Sequence, residues 1–171
     1  AAEQGNTSAQ YNLGWMYANG IGVPPDDKSA VKWYTLAAKQ GDADAEHSLG
    51  WMYANGRGIQ QDYKTAVKWY TRAAKQGDAN AQYSLGLLYA KGEDVPQDYK
   101  TAVVWYTMAA EQGDDRAQYN IGVMYENGRG IPQNYKTAAN WFTLSGKAGF
   151  SPAQYKLGVM NEKGRGLSQN Y

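Results

Sequence analysis

A few short patterns in this chain have residue types and spacings that could carry chemistry. Ser29-Ala30-Val31-Lys32 has the S-x-x-K spacing in which a lysine activates a serine for acyl transfer, as in enzymes that open β-lactams. Thr65-Ala66-Val67-Lys68 stands in the same frame further on, and no S-D-N or K-T-G accompanies either copy, so the spacing belongs to a recurring pattern. His47 is the only histidine, which rules out a triad or metal site needing two. Asp42-Ala43-Asp44-Ala45-Glu46 lacks the glycine and the terminal glutamate of a calcium loop and is explained by helix capping. Gly20-Ile21-Gly22 and Gly56-Arg57-Gly58 follow helical patterns rather than strands, so they are not phosphate loops. Asn6-Thr7-Ser8 is a glycosylation sequon only in a secreted eukaryotic setting. The sequence therefore offers no catalytic set, no metal site and no cofactor site.

Bulk properties narrow the partners. Across 171 residues, Lys plus Arg number 17 and Asp plus Glu 16, a formal net charge of +1. Such a balance has no basic footprint for nucleic acid or an anionic membrane. No apolar run approaches the length of a bilayer span, so membrane insertion is not expected. Cysteine is absent, which removes disulfides and thiolate metal sites without choosing a compartment; cytoplasm, periplasm and exterior all stay open. Lys28, Lys64, Lys100 and Lys136 form a regular row that reads as a solvated outer face.

What organises the chain is repetition. Trp33, Trp69, Trp105 and Trp141 recur every 36 residues, as do Gly14, Gly50, Gly86, Gly122 and Gly158. A fixed period of this size means stacked modules, each with an apolar face that it cannot bury alone. Within one module, Ala45, Leu49, Met52 and Tyr53 fall on one face of a first helix, which Asn55-Gly56 ends. Gly50 inside that helix costs about 1 kcal/mol against alanine, so its recurrence predicts the close approach of a neighbouring helix. Asp62 caps a second helix whose stripe is Ala66, Trp69, Tyr70, Ala73 and Ala74, closed by Gly77; Asp26, Asp98, Asn134 and Asn170 are the equivalent caps. Thr7, Asp115 and Ser151, each three residues before a glutamine, fit capping boxes for the first helices. Tryptophan and tyrosine together are expected to fill the gaps between layers.

These residues resemble the Sel-1-like repeat family, relatives of the tetratricopeptide repeats. Residues 45 to 77, A-E-H-S-L-G-W-M-Y-A-N-G-R-G-I-Q-Q-D-Y-K-T-A-V-K-W-Y-T-R-A-A-K-Q-G, follow the family pattern throughout. The resemblance covers the chain as one array, with full repeats at 9–44, 45–80, 81–116 and 117–152 and part-repeats at 1–8 and 153–171. Because both ends cut through repeats, the chain reads as a segment of a longer array. The resemblance implies an all-α, right-handed α-α superhelix acting as scaffold or adaptor, with first helices lining a concave side. Some cysteine-rich relatives are linked to β-lactams, but this chain lacks their cysteines. Among departures from the pattern, Asp94 for a loop glycine predicts a differently shaped third loop, and Ser145 and Gly146 for paired alanines, Phe142 for tyrosine and Asn161 for tyrosine predict looser packing towards the C-terminus.

Beyond the packing stripe, the first helices carry a second one. It comprises Tyr11, Trp15 and Asn19, then His47, Trp51 and Asn55, then Tyr83, then Tyr119 and Asn127. By analogy with tetratricopeptide repeats this stripe faces the groove, where rings supply contact area and amides hold a peptide backbone. Packing on the preceding layer accounts for the tyrosines equally well. Trp15 and Trp51 are the stronger candidates, because Leu87, Val123 and Val159 hold the same position elsewhere. Glu126 and Glu162 in place of Ala18, Ala54 and Ala90 predict a more acidic end. The reading is a non-catalytic scaffold binding a protein or peptide. The alternatives are self-assembly into a homo-oligomer through exposed array ends and, more remotely, β-lactam hydrolysis through Ser29.

Overall fold

The computed structural model describes residues 1–92 and 95–166. Among them are nine α-helices and no strand: α1 (Thr7–Asn19), α2 (Asp27–Lys39), α3 (Ala43–Asn55), α4 (Tyr63–Lys75), α5 (Ala79–Lys91), α6 (Tyr99–Glu111), α7 (Asp115–Asn127), α8 (Tyr135–Lys147) and α9 (Ser151–Glu162). The chain divides into two compact units, Ala1–Ala81 and Gln82–Tyr171. In the first, α1 packs on α2, α2 on α3 and α3 on α4. In the second, α6 packs on α7, α7 on α8 and α8 on α9. The loop position Asp94 and the cap Asn170 lie outside the described residues.

Local chemistry sets the helix ends. Asp26, Asp62, Asp98 and Asn134 cap α2, α4, α6 and α8, accepting backbone N–H groups two or three residues on. The caps of the first helices differ from the capping-box expectation. Asn6 and Asp114, one residue earlier than Thr7 and Asp115, cap α1 and α7, and Phe150 precedes α9 without a side-chain cap bond. The glutamines that suggested capping boxes turn instead to the preceding segment: Gln118 Nε2 donates to the Ala110 carbonyl, Gln154 Nε2 to that of Gly146 and Gln10 Nε2 to that of Ala2.

Each core is built from small residues around one ring. In the first unit Ala30, Tyr34, Ala37, Ala38, Ala45, Leu49 and Met52 form a buried cluster. In the second, Ala102, Tyr106, Ala109, Ala110, Ala117, Ile121 and Met124 form one, and Ala138, Ala139, Phe142, Ala153 and Met160 another. The recurrent helix glycine is the seat of that ring. A Cβ on Gly14 would lie 2.7 Å from Tyr34, on Gly50 2.8 Å from Tyr70 and on Gly122 2.7 Å from Phe142. Of the recurring aromatics it is the ring seated on the glycine, tyrosine or Phe142, that fills the core, since Trp33, Trp69, Trp105 and Trp141 are only half-buried. The looser packing expected towards the C-terminus is not uniform. Ser145 is completely buried, with its hydroxyl on the Asp115 carbonyl at 2.7 Å, whereas Asn161 stands exposed.

A glutamine seam joins the end of each second helix to the first helix before it. Gln40 Nε2 donates to Gln10 Oε1 at 2.7 Å, Gln76 Nε2 to Glu46 Oε2 at 2.9 Å and Gln112 Nε2 to Gln82 Oε1 at 2.8 Å. At the fourth such position stands Ala148, and the buried Gln118 Oε1 has no partner among the described residues. Ala148 has φ −73 and ψ −3, close to Gln76 at −84 and −1, so a glutamine fits the backbone there. Ala148→Gln is expected to complete the seam and stabilise the chain by about 1 kcal/mol, read as a higher melting midpoint.

Candidate functional site

The sequence stripe divides once the side chains are placed. Tyr11 packs its ring 5.8 Å from Tyr34, His47 lies 5.6 Å from Tyr70 and Tyr83 6.0 Å from Tyr106. Tyr119 sits between Phe142 at 5.6 Å and Phe150 at 5.4 Å, and Arg116 covers Tyr83 at 4.2 Å. All four rings are half-buried against the aromatic seated on the helix glycine, which gives them a packing role. Asn19, Asn55 and Asn127 each donate Nδ2 to the carbonyl four residues back, on Trp15, Trp51 and Val123, so these amide donors finish their own helices.

Trp15 and Trp51 behave differently. They are 43% and 40% exposed, and neither belongs to the buried cluster around Tyr34. Next to Trp51 lies a cavity of about 300 Å³ that Asn19 and His47 also line. Sequence reasoning missed Ser48, Tyr34 and Arg57 on its wall. Burial pushes the Tyr34 phenol up to about 12, the Tyr11 phenol adds to the rise, and Ser48 and Arg57 oppose it, so Tyr34 is a neutral donor at physiological pH. In the second unit, the acidic character expected from Glu126 is neutralised by Lys156 Nζ at 2.6 Å.

The groups weighed as catalytic are occupied structurally. Ser29 Oγ donates to Asp26 Oδ2 at 2.6 Å, and Thr65 and Thr101 do the same to Asp62 and Asp98. These hydroxyl bonds, with backbone N–H bonds from the same residues, hold the three aspartate pKa values below the usual range. Lys32 Nζ lies over the Trp33 ring at 5.4 Å. Among the described residues no three His, Cys, Asp or Glu side chains gather as metal ligands, and no helix is long and apolar enough to cross a membrane.

The acidic stretch read as helix capping divides: Asp42 caps α3, but Glu46 is a buried ionisable group with another role. Glu46 is 0% exposed; its Oε1 lies 2.7 Å from Arg72 and its Oε2 accepts from Gln76. Both members of the pair are departures from the repeat: glutamine holds the first position in Gln10, Gln82 and Gln118, and Leu36, Met108 and Leu144 hold the second. A perturbed, sequestered carboxyl is a functional-site signal in many proteins. Here the carboxylate faces only its own partners, so it bridges α3 and α4.

The Sel1 repeat family matches residues 7–42, 43–78, 79–114, 115–150 and 151–171, and the chain belongs to that family of all-α solenoid repeat proteins. A protective antigen present in uropathogenic Escherichia coli strains, displaying an SLR fold, aligns with TM-score 0.96 and 42% identity, over 99% of this chain and 36% of that one. A Sel1 repeat protein from Oxalobacter formigenes gives 0.90 and 37% identity, over 96% of this chain and 65% of that one. The chain thus spans less than two thirds of the length of either relative. Helicobacter pylori cysteine rich protein B shares the fold, with TM-score 0.62 and 23% identity over 78% of this chain and 96% of that one. Comparison with curated proteins gives no match. Sel1-repeat folds commonly mediate protein–protein interaction and are generally non-catalytic.

Desolvation raises the Glu46 pKa above the ordinary carboxylate value, against the opposing pull of Arg72 and Gln76. The folded chain therefore holds this proton to higher pH than the unfolded chain. Its contribution to stability is present at low pH and is lost as pH rises through the raised value. Glu46→Gln restores the glutamine of the other repeats and leaves Arg72, half-exposed, in water. Urea melts across the acid-to-neutral range should show this loss removed and stability at neutral pH unchanged or up to about 1 kcal/mol higher. A loss of several kcal/mol would instead mean that the ion pair itself holds the helices together.

Proposed function

We propose that this chain is a non-catalytic adaptor that binds a protein or peptide on the face made by its first helices, with Trp15 and Trp51 as the principal contacts. The observation that carries the reading is the exposure of these two indoles, 43% and 40%, outside the packed cluster of their unit. Packing does not require them, since Leu87, Val123 and Val159 serve at the same position. Tryptophan is enriched among interface residues whose truncation costs 2 kcal/mol or more, because it supplies a large rigid surface at low entropy cost. The other expected contacts fall into a lesser role: the tyrosines contribute their outer edges, and each asparagine keeps its carbonyl oxygen and one amide N–H for a partner.

The test is the double variant Trp15→Ala with Trp51→Ala, assayed against a protein partner that co-purifies with the wild-type chain. Affinity should fall by about thirtyfold or more while the melting midpoint holds, a difference of about 2 kcal/mol. Undiminished affinity in the folded double variant places the binding face elsewhere.

A further inference from the structure

Several departures from the repeat converge on one spot of the first unit, where α1, α2 and α3 meet around the cavity of about 300 Å³. Trp51 forms one wall, at a position that is aliphatic from Leu87 onwards. Small residues, Ala18 and Ser48, keep the space open. At the equivalent positions on α7 and α9, Glu126 and Lys156 join in a 2.6 Å ion pair. His47 replaces the tyrosine of the other first helices. Arg57, from the loop after α3, lies over the Trp51 ring at 5.4 Å and reaches back to Asp27, with Nε to Oδ2 at 3.0 Å and Nη2 to Oδ1 at 2.6 Å. Asp27 is a departure too: Tyr99 and Tyr135 hold its position in the second unit, and there the loop arginines Arg129 and Arg165 rest on the rings. The α1–α3 site is thus a variation that repeat packing does not ask for.

We infer that this cavity is an anchor pocket for one aromatic side chain of a partner peptide, and that Arg57 receives a side-chain carboxylate of a neighbouring residue in that peptide. The inference rests on the adaptor reading above and names the chemistry of its partner. The volume stands at the bottom of the ~300–1,000 Å³ range of small-molecule pockets, which suits a single large side chain. Ala18 and Met52 supply an apolar lining, and the indole supplies a ring to pack against. The only formally charged side chain on the wall is a cation. Asp27 engages its Nε and Nη2, so Nη1 keeps its donors without a partner among the described residues. Held on one side by a bidentate carboxylate and on the other by a ring, the guanidinium loses little freedom on accepting a second carboxylate. The pairing also makes acidity a matter of geometry: the carboxylate must reach the free edge of a fixed fork.

The experiment pans a displayed library of random peptides against the wild-type chain, Trp51→Leu and Arg57→Gln, then measures selected peptides by titration calorimetry. Trp51→Leu copies Leu87 and so preserves the helix. Peptides enriched on the wild type should carry Phe, Tyr or Trp within two positions of Asp or Glu. Binding should fall at least tenfold on Trp51→Leu. On Arg57→Gln it should fall about tenfold for the acidic peptide and stay unchanged for its Asn or Gln counterpart. Equal binding of acidic and amide peptides to the wild type, or of the acidic peptide to wild type and Arg57→Gln, overturns the carboxylate assignment. Undiminished binding to Trp51→Leu overturns the anchor pocket. If binding also survives the Trp15/Trp51 double substitution, the binding face proposed above lies elsewhere on the chain, a result distinct from failure of the pocket alone.

Discussion

An aromatic ring pressed against a helix glycine is the contact from which the rest of this structure follows. Tyr34, Tyr70, Tyr106 and Phe142 each press on a first-helix glycine of the same repeat, at distances that leave no room for a methyl group. Glycine inside a helix costs about 1 kcal/mol against alanine. Burying a tyrosine ring removes about 150 Å² or more from water, on the order of 4 kcal/mol at ~25 cal/mol/Å². The ring wins, and the buried cluster around Tyr34 is made largely of small residues, Ala30, Ala37, Ala38 and Ala45, with Leu49 and Met52.

Tight pairing leaves polar work at the edges of each layer, and two devices do it. The glutamine seam satisfies amides at the ends of the second helices, with Gln76 on Glu46 and Gln112 on Gln82. The second loop glycines, Gly58 and Gly130 with φ +69 and +71, bring the loop against the backbone at the start of the preceding second helix, where any side chain would collide with Asp27 or Tyr99. Trp15 and Trp51 lie outside the buried cluster around Tyr34.

Much of this is legible in the amino-acid sequence alone. The period gave the helix pairs, the aspartate caps of the second helices and the special status of the helix glycine, because each is local or repeats at a fixed spacing. The misread features depend on contacts eight to thirty residues apart that the repeat pattern does not display. Thr7 and Asp115 look like caps because a glutamine follows three residues on, but that glutamine turns to a carbonyl eight residues back. The acidic character expected from Glu126 is neutralised by Lys156, and the sequence assigns no role to Arg57, which pairs with Asp27. A pattern of repeated positions displays what all units share. The places where two departures meet, Glu46 with Arg72 or Asp27 with Arg57, appear only when the layers are assembled.

The most direct test of the ring-on-glycine claim is a double-mutant cycle of Gly50→Ala and Tyr70→Leu, read by equilibrium unfolding. Gly50→Ala alone should destabilise by about 1–3 kcal/mol despite alanine's better helix propensity. In the Tyr70→Leu background that penalty should vanish, a coupling of at least about 1 kcal/mol. If Gly50→Ala stabilises the chain, or its effect is the same with and without the Tyr70 ring, the contact does not set the spacing of the helices and the account is wrong.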